Sequence, residues 1–157
     1  MASLDVATSL RNIKTAWSNL TTWQSLCGVA SAALAAERIF IGGTEENEET
    51  IVPVTIIMVE SLPLRVDAFK LRGSLTVKIC CELAVPSNNS LSYQDEYLWV
   101  WGQWALIMAG LEANSNQTGG LMLDHITTDQ LPGQKDSTIN KGRQEWGFSF
   151  NYTSYLV

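Results

Sequence analysis

Ser92-Tyr-Gln-Asp-Glu-Tyr-Leu-Trp-Val-Trp-Gly-Gln-Trp-Ala-Leu-Ile-Met-Ala-Gly-Leu-Glu-Ala-Asn114 is the stretch that the remaining elements must cover. Ser92 can cap a first turn through its hydroxyl, Leu91 stands where a hydrophobic staple would, and Asp95 and Glu96 bring negative charge to the positive end of a helix dipole. These signals predict a helix over 92–114. Tyr97, Trp101, Trp104, Met108 and Leu111 recur at spacings of three and four and so predict its buried face. Leu98, Val100, Ala105, Ile107 and Ala109 widen the apolar surface beyond one stripe. A helix apolar on most of its circumference needs two apolar neighbours, one its own sheet and the other a second copy of the chain. Trp99, Trp101, Trp104 and Met108 are the expected subunit-contact residues, since aromatic side chains and methionine are favoured in such contacts. A membrane is excluded by length: the apolar run from Tyr97 to Leu111 contains Gln103 and two glycines, and spanning a bilayer takes about 20 apolar residues.

The strands around this helix are legible from alternation. Leu71, Gly73, Leu75, Val77, Ile79, Cys81, Leu83 and Val85 alternate with Arg72, Ser74, Thr76, Lys78, Cys80, Glu82 and Ala84, predicting a long strand with one buried and one polar face. Gly73 is expected to mark a bulge or bend, and Pro86-Ser-Asn-Asn-Ser90 to end the strand. Near the C-terminus Trp146, Phe148, Phe150 and Tyr152 alternate with Gly147, Ser149, Asn151 and Thr153, predicting an aromatic strand on the core. Ile39–Ile41, stopped by Gly42 and Gly43, and Ile51–Val59 are two further strands, while Pro63 and the mixed charges from Glu60 to Lys70 predict a connection. Leu4–Leu20 has the apolar spacing of an amphipathic helix, and Trp23–Ala36 reads as a loop followed by a short alanine-rich helix. That alanine-rich run imitates part of a secretory signal but follows an amphipathic helix, where no signal belongs. Leu121, Leu123 and Ile126 belong to a short segment that is either extended or helical, and Pro132–Lys141 is expected to be a loop. The predicted class is α+β, with an antiparallel or mixed sheet, an N-terminal helix and the apolar helix packed on it.

With 157 residues, 46% of them hydrophobic and 17% charged, the chain suits one ordered domain spanning 1–157. Its net charge of -6, with no basic stripe to offset it, argues against a nucleic-acid-binding surface. Three cysteines, Cys27, Cys80 and Cys81, do not close a disulfide framework, and the adjacent pair points to opposite faces of a strand, so reduced thiols in a cytoplasmic setting are expected. Four acidic residues, Glu45, Glu46, Glu48 and Glu49, fall in one loop. The run lacks the alternating Asp/Asn pattern and central glycine of a calcium loop, which leaves a solvated turn or an acidic rim facing DNA or another subunit.

Chemistry is sparse. His125 is the single histidine, which removes multi-histidine metal sites and leaves a structural role as the expected one. Cys80-Cys81 lacks the spacer of a redox pair, Gly42-Gly43 precedes acid rather than Lys-Ser/Thr, and the acidic pair Asp95-Glu96 is explained by the helix start. No catalytic, cofactor-binding or metal-binding residues are assigned, and the chain is not expected to be an enzyme.

The order of elements resembles that of the tail terminator, or tail completion, proteins of long-tailed bacteriophages. The likeness rests on the apolar strand Val52-Pro-Val-Thr-Ile-Ile-Met-Val59, the long strand around Leu75-Thr-Val-Lys-Ile79 leading into a helix, and the ending Trp146-Gly-Phe-Ser-Phe-Asn-Tyr152, and it spans Leu4 to the end. The Trp-rich helix and the Trp23–Ala36 stretch depart from the pattern. The resemblance implies a virion protein, assembled in the host cytoplasm into a homo-oligomeric ring of six. The ring would cap the head-proximal end of the tail tube, stop its growth and dock a neck or connector protein. Its partners would be its own copies, the tail tube protein and that neck protein, with DNA only as passing cargo. In that setting the acidic loop, with Glu45, Glu46, Glu48 and Glu49, or the 132–141 loop, with Lys135 and Lys141, would face the lumen or the tube. Two other readings stay open: another neck or head-tail connector protein, and a small-molecule-binding α+β domain whose tryptophans line a pocket.

Overall fold

The computed structural model describes residues 6–43, 52–67, 70–86, 92–114, 125–134 and 145–156, without the side chains at 67, 70–72, 114, 125 and 154–156. In chain order these residues form helices α1 (Val6–Ser18), α2 (Thr21–Leu26) and α3 (Ala32–Ala36), then strands β1 (Ile39–Ile41), β2 (Val54–Ser61), β3 (Leu64–Asp67) and β4 (Lys70–Ala84). Helix α4 (Tyr93–Asn114) follows, and strands β5 (His125–Gln134) and β6 (Glu145–Leu156) end the order. The class is α+β, as the sequence predicts.

The alternation in β4 makes it the strand on which the sheet is built. Leu75, Val77, Ile79, Cys81 and Leu83 are all buried, and the residues between them face the other way. β4 pairs antiparallel with β2 on one side and with β6 on the other, while β1 adds parallel to β2 and β5 antiparallel to β6. The strand order is β1-β2-β4-β6-β5, with β3 paired to the first part of β4, so the sheet is mixed. The aromatic alternation of β6 puts Trp146, Phe148, Phe150 and Tyr152 on the same face as the buried row of β4.

The helices fill that face. Ile13, Trp17, Leu20, Trp23, Ala35, Ile107 and Leu111 close over the apolar rows of β1, β2, β4 and β6 in one cluster. Trp17 is its centre, stacked on Phe150 at 5.8 Å and meeting Trp23 edge-on at 6.0 Å. Each such buried side chain contributes about 1.5–3 kcal/mol of transfer free energy, and each aromatic pair about 0.5–1.5 kcal/mol more. The indole N–H of Trp23 donates to the Ala35 carbonyl at 3.1 Å, tying α2 to α3.

The opposite face of the sheet carries polar cross-strand pairs. The hydroxyls of Thr76 and Thr153 lie 3.1 Å apart. Asp129 accepts from the Ser149 hydroxyl at 2.9 Å and pairs with the Lys78 ammonium at 3.2 Å. These bonds join β4, β6 and β5 from the side away from the helices.

Four expectations are corrected. Trp23 lies on a helical turn, α2, because its buried indole needs a rigid mount in the core, whereas a loop was expected there. Residues 64–67 form β3, because β4 runs on past the end of β2 and its free edge takes up the chain after Pro63. Gly73 is no bulge: the slip of register lies in β2, between Val59 and Ser61, and Gly73 instead admits β3 at close range. A Cβ at Gly73 would collide with the Pro63 carbonyl oxygen and come within 2.7 Å of Leu64 Cδ2. Finally, β5 runs through Pro132 to Gln134, where a loop was expected, and accommodates the proline with two register shifts along an edge strand. Leu121 and Leu123, and the loop residues Glu45, Glu46, Glu48, Glu49, Lys135 and Lys141, lie outside the described residues.

Candidate functional site

Helix α4 begins as its sequence requires. The Asp95 amide donates to the Ser92 hydroxyl oxygen at 3.2 Å, that hydroxyl donates to the Asp95 carboxylate at 2.9 Å, and the Glu96 amide donates to the Ser92 carbonyl at 3.0 Å. The face turned to the core is Glu96, Val100, Ile107 and Leu111. The expected face, Tyr97, Trp101, Trp104 and Met108 with Leu111, is therefore rotated from the real one by roughly 70° at about 100° per residue. Tyr97 is 40% exposed. A helix apolar all round has no periodicity strong enough to fix its rotation, so tertiary contacts fix it.

Two such contacts stand at either end. Gly110 lies against Leu20, close enough that a Cβ would come within 2.7 Å of Leu20 Cδ2. Near the start, the carboxylate of Glu96, only 4% exposed, accepts from the Trp146 indole N–H at 3.4 Å. Rings gather over this buried pair: Tyr93 and Tyr97 sit 5.3 and 5.9 Å from Trp146, and Tyr97, Trp101 and Trp104 continue edge to face along the helix. The ring cluster fastens the first turns of α4 to β6.

The four expected contact residues are all half-buried. Trp99, Trp104 and Met108 pack against the chain's own core, Trp99 on one flank of α4 and the other two on the opposite flank. Trp101 stands with Trp104 at 5.3 Å, at the margin of the surface. Because Trp99 faces away from the other two indoles, the three do not line one pocket.

What α4 presents outward is a different set. Leu98, Gly102, Ala105, Leu106 and Ala109 are exposed, Leu98 and Leu106 by 58% and 55%. No charged residue occurs from Tyr97 to Leu111, so this outer stripe is uncharged over three turns, with Asp95 and Glu112 beyond its two ends. A Cβ added to Gly102 at its centre would meet nothing within 4 Å outside the helix's own backbone. The sequence holds a signal for it, the long gap between charges together with Leu98, Ala105 and Ala109 beyond the expected face.

A second apolar strip went unread in the sequence. Val59, Leu64 and Val66 are 41%, 45% and 69% exposed. By register Val59 lies opposite Val77, Leu64 opposite Gly73 and Val66 opposite Leu71, which puts the strip on the helix side of the sheet, where the β3–β4 hairpin carries it clear of cover. The signal was the alternation Leu64-Arg65-Val66 just after Pro63.

Burial makes two of the three thiols, Cys27 and Cys81, poor nucleophiles. Burial pushes Cys27 up to about 11 against the opposing pull of Arg38, and burial pushes Cys81 higher still. Among the described residues no three His, Cys, Asp or Glu side chains lie together as a metal site would need, and no helix is long and apolar enough to cross a membrane. No protein-family model matches the chain, and no curated protein matches it.

Proposed function

We propose that the chain is a structural subunit that associates with its own copies through the outer face of α4, and that the assembly is the ring of a phage tail terminator. It caps the head-proximal end of the tail tube, stops its growth and offers the docking surface for a neck protein. One observation carries the reading: α4 is already filled on its core side by Val100, Ile107 and Leu111, yet shows Leu98, Gly102, Ala105, Leu106 and Ala109 to solvent with no charge among them. An uncharged helical face of this kind suits a surface that is covered in the working state.

Support for the terminator in particular comes from the order of elements, a long alternating strand leading into a helix and an aromatic strand at the end. The acidic balance of -6 fits a lumen through which DNA slides without adhering.

Native mass spectrometry of the purified chain, alone and with tail tubes, is the first test, with a closed ring as the expected species. Electron microscopy of tails assembled without the protein is the second. Overlong or irregular tails are expected, and tails of uniform normal length would sink the terminator role.

A further inference from the structure

We draw no further inference here: the strongest candidate, the uncharged outer stripe of α4 formed by Leu98, Gly102, Ala105, Leu106 and Ala109, carries nothing past the proposed self-association, because nothing in the structure shows which surface covers it.

Discussion

Gly73→Ala tests whether β3 is held as closely to β4 as the structure places it. The added Cβ would collide with the Pro63 carbonyl and lie 2.7 Å from Leu64 Cδ2 and 3.3 Å from Leu64 Cα. Reaching a carbon–carbon separation of about 3.5 Å requires movement on the order of 1 Å, and most of what must move is backbone. That displacement breaks the already long bond from the Ser74 amide to the Pro63 carbonyl, 3.3 Å, worth about 1 kcal/mol. Overpacking adds about 1–3 kcal/mol, and the reduced freedom of the unfolded chain returns about 0.4–1 kcal/mol. The expected net loss is about 1–3 kcal/mol, read by urea unfolding followed through tryptophan fluorescence, with faster hydrogen exchange at the Ser74 amide. Gly102→Ala is the control. It sits mid-helix where an added Cβ meets nothing within 4 Å, so the same methyl should stabilise the single chain by up to about 1 kcal/mol. A Gly73→Ala protein within 0.5 kcal/mol or so of wild type, or a Ser74 amide that exchanges no faster, would refute the close approach, since even a typical lost hydrogen bond exceeds that.

Other expectations follow from single contacts. Trp146→Phe deprives the buried Glu96 carboxylate of its indole donor and leaves a void, and should cost about 2–4 kcal/mol in urea melts. Glu96→Gln keeps an acceptor for the indole N–H at nearly the same size and should cost less. Ser149 and then Lys78 hold the Asp129 carboxyl below its ordinary 3.8, so folded chains bind that proton less readily than unfolded ones and the stabilisation is present above the ordinary value. The stability gap between wild type and Asp129→Asn should accordingly be full at neutral pH and close as pH falls through the lowered value in acid melts. The Asp129 hydrogen bond raises Lys78 above its ordinary 10.5, so the lysine's share persists below that value and fades as pH climbs past it. A Cys80→Ser protein should react with iodoacetamide at pH 8 far more slowly when folded than in urea, because burial pushes Cys27 up to about 11 and Cys81 higher; equal rates would show that the thiols are not shielded.

Alternation over many residues was the strongest signal in the sequence. β4 and β6 were legible because a strand buried on one face must repeat every two residues, and Leu75–Leu83 and Trp146–Tyr152 do so without a break. The start of α4 was legible because Ser92 and Asp95 act locally, through bonds within one turn. Its rotation was not, since Tyr97 and Val100 are equally good core residues until Leu20 and Trp146 choose between them. β3 and the later part of β5 were missed for a related reason: Pro63 and Pro132 are loop signals in isolation, and only the free edges of β4 and β6 turn the chain beside them into strand. The apolar stripe of α4 was half legible. Tryptophans drew attention to the helix, but they lie on its flanks, and the surface left open is made of leucine, alanine and glycine.

The outer margin of β5 has a bearing on how copies of this chain can meet. Ten residues of strand at the border of a sheet are an invitation to templated stacking, in which foreign strands zip on without limit. Here that border is spoiled by Pro132, which has no amide to offer, and by slips of register at Thr128/Gln130 and Gln130/Gly133. Fibrous accretion through this rim is thereby discouraged, and molecules crowded together on this side are left to meet through side chains rather than a shared ladder.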